Sequence, residues 1–368
     1  MKLVIISDTP ISKVNNELVI LESPLREIET LSKKFTKIIW LGYLRDGFEN
    51  ASRSPQNSII ELIAMPQSGG NSFISKISVL LTIPTYIKYV YKYLYISDVV
   101  HFRLPSVSGI IGIILNLYFK KTRGWIKYAG TWNEPAPFSY KFQRFILKYY
   151  KLLPITILSK KDAKGNLYFI PNPSISNEEL KNNSNIGMKK CFDEKINFIF
   201  VGSLNSNKRP ELVLNTFTRL IDHPKTGILN IIGDGELYSS LKNMNTNNEK
   251  VFLRGFCKRE EIDQYYSISH FLLCPSRSEG FPKVIPESIS FGCIPIVSSL
   301  EGIKDVLIHK KTGWLIENKN FEIDLEKSIK LLLENHKMSS IISKNAIKRA
   351  KIFTYERFKN SIYKFCFN

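Results

Sequence analysis

Residues His270 to Gly292 read HFLLCPSRSEGFPKVIPESISFG. FLLCPS has the length and apolarity of a buried strand that stops at Pro275. PKVIPESISFG has the pattern of a helix closed by Gly292, with Pro282 near the first turn, where a missing N–H costs nothing. A strand that feeds a helix through a short loop is the repeating unit of a parallel sheet covered by helices. Glu279 then lies in the loop at the strand's carboxyl end, and Glu287 about one and a half turns into the helix. The N–H groups of Gly280, Phe281 and Lys283 lack acceptors within the helix, so the segment suits a polyhydroxylated, anionic ligand.

The same unit recurs on both sides of this stretch. Strand-like runs occur at LVIIS near residue 3, KIIWLG near 37, DVVHF near 98, WIKYAG near 125 and ITILS near 155, separated by helix-length connections. A second series follows: INFIFVGS (196 to 203), GILNIIGDG (227 to 235), KVFLRGF (250 to 256), HFLLCPS (270 to 276) and CIPIVSS (293 to 299). Between the two lies IPNPSISNEELKNNSNIG (170 to 187), polar and rich in Pro, Asn and Ser, which has the composition of a linker. The expectation is an α/β chain of two doubly wound, Rossmann-like domains facing a central cleft. Their spans are 1–172, a linker at 173–190, 191–350, and a C-terminal helix at 351–368 that crosses back to the first domain.

A length of 368 residues with 43% apolar content accommodates two cores. The five cysteines form no C-x-x-C pair and the five histidines no H-E-x-x-H, so neither a zinc site nor a disulfide framework is expected, and a reducing cytoplasm fits. MKLVIISDTP is too short in its apolar run for a signal peptide and reads as a first strand. The apolar runs at 79–96 and 109–119 are too charged or too short to cross a bilayer. A net charge of +19 asks for an anionic partner. Nucleic acid is not expected, since no zinc-finger, helix-turn-helix or RNA-recognition signature is present.

Glu279-Gly-Phe-Pro-Lys-Val-Ile-Pro-Glu287, followed by Gly292-Cys-Ile-Pro295, resembles the E-x7-E signature of retaining GT-B glycosyltransferases, in particular glycosyltransferase family 4. VGSLNSNKRPELVLNTF (201 to 217), IIGDGEL (231 to 237) and GIKDVLIHKKTGWLIE (302 to 317) are similar to further segments of that family, in order along the C-terminal half. The resemblance implies a GT-B fold, a nucleotide-sugar donor and a glycan or lipid-linked acceptor, with no cofactor and no metal. It implies that Glu279 holds sugar hydroxyls with the backbone of Gly280 and Phe281, that Glu287 holds the ribose, and that Lys208 neutralises the diphosphate near Gly202. Gly233, Pro282 and Lys283 complete the donor side by position. Ser203 stands where the family often has arginine, so Arg209 or Arg254 is expected to supply that charge. On the acceptor side DVVHFRLPS (98 to 106) is similar to the family's strand end, and Arg103 and Gly130 are expected to face the substrates. Ala129 or Gly130 occupies the place of a customary histidine. His101 reads as a strand-end histidine and Cys274 as core filler. An inactive scaffold of the same fold, or a basic nucleic-acid-binding protein, is the alternative function.

From Val99 to Lys161 there are eleven basic residues and one acid, Glu134. Within this span, Lys141, Arg144, Lys148 and Lys151 recur at helical spacing beside an apolar stripe of Phe142, Phe145, Ile146, Tyr149 and Leu153. Ordinary amphipathicity puts that stripe in the core. The absence of acids and the tyrosine-rich run from Tyr86 to Tyr95 point instead to an anionic membrane surface and to a peripheral placement on the inner face of the cell membrane.

Overall fold

The computed structural model describes residues 1–67, 73–130, 132–133, 136–245, 248–317 and 321–367; Glu134 lies outside them. The chain divides into two compact units, Met1–Ile170 with Phe358–Asn368, and Pro171–Arg357.

The first unit runs β1 (Lys2–Val14), β2 (Glu17–Leu21), α1 (Glu22–Glu29), β3 (Lys37–Leu44), β4 (Ser52–Arg53), β5 (Ile60–Met65), α2 (Phe73–Tyr95), β6 (Val99–Leu104), α3 (Val107–Phe119), β7 (Gly124–Tyr128), α4 (Phe138–Tyr149), β8 (Ile155–Ile157) and β9 (Leu167–Phe169). Its parallel strands stand in the order β5-β3-β1-β6-β7-β8-β9. Helices lie on both faces, which is why Leu3 to Ile6 are apolar without alternation and fully buried. Leu25 and Ile28 of α1, with Phe358 and Ile362 from the end of the chain, cover one face. Tyr86 and Val90 of α2, Ile113 of α3 and Leu147 of α4 cover the other.

The first strand departs from the sequence reading. β1 continues past residue 6, because its far half pairs antiparallel with β2 through a two-residue turn at Asn15 and Asn16, both at positive φ (48° and 67°). In α4, Gln143 and Leu147 are buried, while Phe142, Phe145 and Tyr149 of the apolar stripe are exposed; Leu153, the last of that stripe, lies beyond the helix and is buried. Gln143 goes inward because its amide oxygen accepts from Ser106 N (3.1 Å), so the polar group is satisfied where it is buried.

The second unit runs α5 (Asn177–Gly187), β10 (Ile196–Val201), α6 (Pro210–Arg219), β11 (Thr226–Ile232), α7 (Tyr238–Met244), β12 (Val251–Gly255), α8 (Arg259–Ile268), β13 (Phe271–Cys274), α9 (Val284–Ser290), β14 (Ile294–Ser298), α10 (Glu301–Lys304), β15 (Trp314–Ile316), α11 (Phe321–Glu334) and α12 (His336–Ala350), and the last helix, α13 (Tyr355–Cys366), starts in it and from Phe358 onward belongs to the first unit. The stretch expected to be a linker contains α5, which opens on a capping box: Ser176 Oγ accepts from Glu179 N, and Glu179 accepts from Ser176 N. Two donors that a helix end leaves orphaned are thereby satisfied, which offsets the polar composition.

All pairings in this sheet are parallel, in the order β12-β11-β10-β13-β14-β15. The chain moves outward from β10 to β12, then returns to lay β13 on the other side of β10. Adjacent loops after β10 and β13 therefore lead to opposite faces and leave a crevice at the strands' carboxyl ends, where open α/β sheets bind ligands.

Candidate functional site

The loop after β10 carries Gly202, Ser203, Lys208 and Arg209, and the loop after β13 carries Glu279. The two are clasped by main chain and by Asn207. Its Nδ2 donates to Ser278 O (3.0 Å), its Oδ1 accepts from Ser278 N (3.1 Å), and its carbonyl accepts from Arg277 N (2.8 Å). Held this way, Lys208 Nζ donates to Glu279 Oε1 across the crevice. Both side chains retain some solvent access, 21% for Lys208 and 16% for Glu279, so they are not sealed in a core.

Beneath them the backbone approaches too closely for side chains. Gly233, after β11, has φ +142°, and a Cβ there would lie 1.9 Å from Gly202 O, so only glycine fits. A Cβ on Gly202 would stand 3.7 Å from the Lys208 stem, which places that glycine directly under the lysine. Ser203 accepts from Asn205 N (3.0 Å) through its carbonyl and adds no cation.

Neither arginine expected to replace that charge lies free. Arg209 adopts a left-handed backbone (φ 53°), and its guanidinium donates to Pro275 O and to Ser298 Oγ (3.3 Å) above the Phe321 ring. Burial and the neighbouring Arg277 lower its pKa. Arg254 stands two strands from β10, donating to Asn230 Oδ1 (2.9 Å) between the rings of Phe252 and Tyr265.

The second carboxylate has its own cation. Glu287, on α9, accepts from Arg259, the first residue of α8, which also donates to Ser174 O (2.8 Å) and lies 3.6 Å from Glu179. Although burial penalises its charge, Glu287 and Glu179 hold the Arg259 pKa above the usual arginine value. Sequence reading missed Arg259 and Asn207. A cation in the first turn of a helix opposes the macrodipole, so Arg259 in Lys-Arg-Glu-Glu was a legible hint of a specific anionic partner.

Helix α9 begins later than expected. Lys283 is its N-cap, Pro282 lies outside it, Pro286 sits in its first turn, and Gly292 at φ +72° closes it. Phe281 is buried with its ring stacked on Phe353 (5.2 Å), so its side chain belongs to the core. Gly280 lies against α10, where a Cβ on Gly302 would be 2.1 Å from Gly280 O.

In the first unit Arg103, expected on the acceptor side, is part of an ion-pair cluster. Arg103 donates to Glu27 Oε2 (3.2 Å), which also accepts from Lys127 Nζ (2.6 Å), and the Glu27 and Lys127 side chains are nearly fully buried. That ion pair ties Arg103 to α1 within this unit. Gly130 follows β7, beside the Tyr128 ring. His101 is buried and stacked on Trp125 (4.0 Å), with Nδ1 on Trp125 O (3.1 Å), and burial keeps its pKa well below the usual histidine value. Cys274 is buried. Sequence reading passed over Asp8, which accepts from Val107 N (2.7 Å), Ser108 N (3.1 Å) and Ser108 Oγ (2.6 Å) and so fills the N-terminus of α3. Among the described residues no group of three potential metal ligands occurs.

Two Rossmann-like units of this topology define the GT-B fold, and solved structures agree over the whole chain. Sucrose-phosphate synthase from Thermosynechococcus elongatus superposes with a TM-score of 0.71 at 16% identity, covering 99% of this chain and 98% of that one. HepE of Anabaena in complex with UDP gives 0.69 at 14% identity, covering 99% of each. Residues 184–349 match the family Glycosyl transferases group 1, and the second unit thus carries a group 1 glycosyl transferase domain. An uncharacterized glycosyltransferase of Haemophilus influenzae is 31% identical over 49% of this chain and 49% of its own length. The N-acetylgalactosamine-N,N'-diacetylbacillosaminyl-diphospho-undecaprenol 4-alpha-N-acetylgalactosaminyltransferase of Campylobacter jejuni is 32% identical over 55% and 58%. The chain spans about half the length of the curated relatives it matches.

Proposed function

We propose that the chain is a retaining, metal-independent glycosyltransferase that moves a sugar from a nucleotide-sugar to a glycan or lipid-linked acceptor in cell-surface polysaccharide synthesis. The observation that carries this reading is the meeting of Lys208 and Glu279 across the crevice between β10 and β13. Each half of that ion pair matches one part of the donor: sugar hydroxyls replace Lys208 on the carboxylate, and a diphosphate replaces Glu279 on the ammonium. As the nucleoside diphosphate departs, negative charge grows on its oxygens, and a fixed cation there lowers the barrier. Glu287 is assigned the ribose hydroxyls. Retention rests on the resemblance of the Glu279 to Glu287 segment to the signature of retaining enzymes.

The acceptor class is supported by the Campylobacter relative, whose name specifies an undecaprenyl diphosphate-linked glycan, and the donor class by the UDP and UDP-glucose complexes of HepE. A lipid-linked acceptor places the reaction at a bilayer, so the enzyme is assigned to the cytoplasmic face of a membrane.

A thermal-shift panel of UDP-, GDP-, ADP- and dTDP-sugars tests the donor. A ligand at a hundred times its Kd stabilises the folded state by about 2.7 kcal/mol, so one class should raise Tm clearly. With that donor, Lys208→Ala and Glu279→Ala should each lower kcat by roughly 10²- to 10³-fold, in the range seen for loss of one electrostatic stabiliser. No response to any nucleotide-sugar would remove the proposal. Ser203, in place of a customary arginine, motivates the alternative of an inactive scaffold, which would show nucleotide binding without sugar transfer.

A further inference from the structure

We infer that the outer face of the α2–α3–α4 layer in the first unit is a docking surface for an anionic lipid bilayer. The inference deepens the membrane placement proposed above and rests on the surface of this layer alone.

The three helices lie side by side on one face of the sheet. Tyr86 and Val90 of α2, Ile113 of α3 and Leu147 of α4 enter the same core. Asn116 of α3 donates to Tyr150 Oη (2.7 Å) just after α4, and Gln143 of α4 accepts from the residue that caps α3. Their opposite sides are what the layer shows to solvent.

The aromatic side chains of α4 do not face the core. Phe138, Phe142, Phe145 and Tyr149 recur at i, i+4, i+7 and i+11 on the side away from the core, with exposures of 83%, 50%, 60% and 65%. The central helix, α3, contains no charged residue, and its polar Ser108 and Asn116 are buried. Its outer face is Ile114, Leu117 and Tyr118, all at least half exposed. Apolar groups grouped in this way on a soluble surface mark an interaction site.

The charges around that centre identify the partner. None of the three helices contains Asp or Glu. Exposed Lys88 and Lys92 lie on α2, Lys120 follows α3, and Lys141 and Lys148 flank the aromatic stripe of α4. Apolar and aromatic groups that insert, bordered by lysines at headgroup level, suit the interface of a bilayer bearing negative headgroups. A second copy of the chain suits the surface less well, because a two-fold contact would set the same lysines against each other with no acid to pair them. Among the described residues no helix is long and apolar enough to cross a membrane, so the contact is interfacial.

Cosedimentation with vesicles of phosphatidylcholine alone, and of phosphatidylcholine with about one-third phosphatidylglycerol, tests the surface. Binding is expected to the mixed vesicles only, and to fall in molar salt, where the screening length shrinks to about 3 Å. Lys141→Gln with Lys148→Gln should weaken partitioning by roughly 25-fold, from about 1 kcal/mol for each lysine. Phe142→Ser with Phe145→Ser should weaken it further. Because these residues are exposed, Tm and the Tm response to nucleotide-sugar should stay unchanged, which separates this result from that of the donor test. Absence of binding to the mixed vesicles, or binding that neither pair of substitutions weakens, overturns the inference. So does a dimer in sedimentation velocity that the phenylalanine pair dissolves.

Discussion

At the carboxyl end of its parallel sheet the first unit carries Asp8, Arg103 and Lys127; the second carries Lys208, Arg209 and Glu279. In the first unit each charge is committed to the fold. Asp8 accepts two backbone N–H groups at the start of α3, while Arg103 and Lys127 share the Glu27 carboxylate beneath the sheet. In the second unit Arg209 is committed in the same way, but Lys208 and Glu279 meet on two loops with part of each side chain open to solvent. A pair of that kind can exchange partners when a ligand with matching groups arrives. The buried Glu27–Lys127 pair cannot, since each member would be left uncompensated in a low-dielectric surrounding.

Glu27→Ala gives the widest break in this comparison. It leaves Arg103 and Lys127 without their anion, and removing one partner of a buried pair typically costs about 3–5 kcal/mol. Urea unfolding should show a fall in midpoint with little change in slope. A loss under about 1 kcal/mol, the range of solvated surface pairs, would mean that the first unit's charges are as exchangeable as the Lys208–Glu279 pair.

Asp8→Ala tests the second commitment at smaller scale. The carboxylate accepts from the first two N–H groups of α3, and loss of a helix cap costs about 0.5–2 kcal/mol. The same substitution should leave donor-induced thermal shifts intact. If nucleotide-sugar binding fell while stability held, Asp8 would belong to the ligand and not to α3.

How far the sequence reaches differs between the same two regions. The second unit was legible because its strands have a strong apolar signature, so Glu279 could be placed at a strand end from the residues, while Gly202 and Gly233 came from the resemblance of their segments to the family. The partners were not legible. Asn207 and Arg259 act through contacts to Ser278 and Glu287, many residues distant, and nothing local marks such pairing beyond the misfit of a cation at a helix start. In the first unit β5 and the hairpin of β2 went unread, although Asn15-Asn16 is a turn signal, because a short strand with mixed polarity resembles a loop. Period gave α4 as a helix with an apolar stripe, and the absence of acids around it pointed that stripe away from the core. The structure turns it outward because Gln143 finds a buried partner at Ser106.

The smallest expected effect concerns Asp263, one turn along α8 from Arg259. Burial raises its pKa from 3.8 to about 6, with Arg259 pulling it back and Glu287, Glu179 and Glu260 pushing it up. The folded state therefore holds this proton more tightly than the unfolded chain does, so the associated stability is complete below the ordinary aspartate pKa and is lost as pH rises through about 6. A shift of this size corresponds to roughly 3 kcal/mol if undiminished; the carboxyl is only partly buried, and screening reduces the expected effect to about 1 kcal/mol. Asp263→Asn should accordingly unfold at higher urea than the wild type at about pH 7 and match it at about pH 4. An advantage that is the same at both pH values would show that the substitution acts through packing or an amide hydrogen bond. The carboxylate would then be balanced by Arg259, and the Glu287 cluster would be as fully committed to the fold as the Glu27 triad of the first unit.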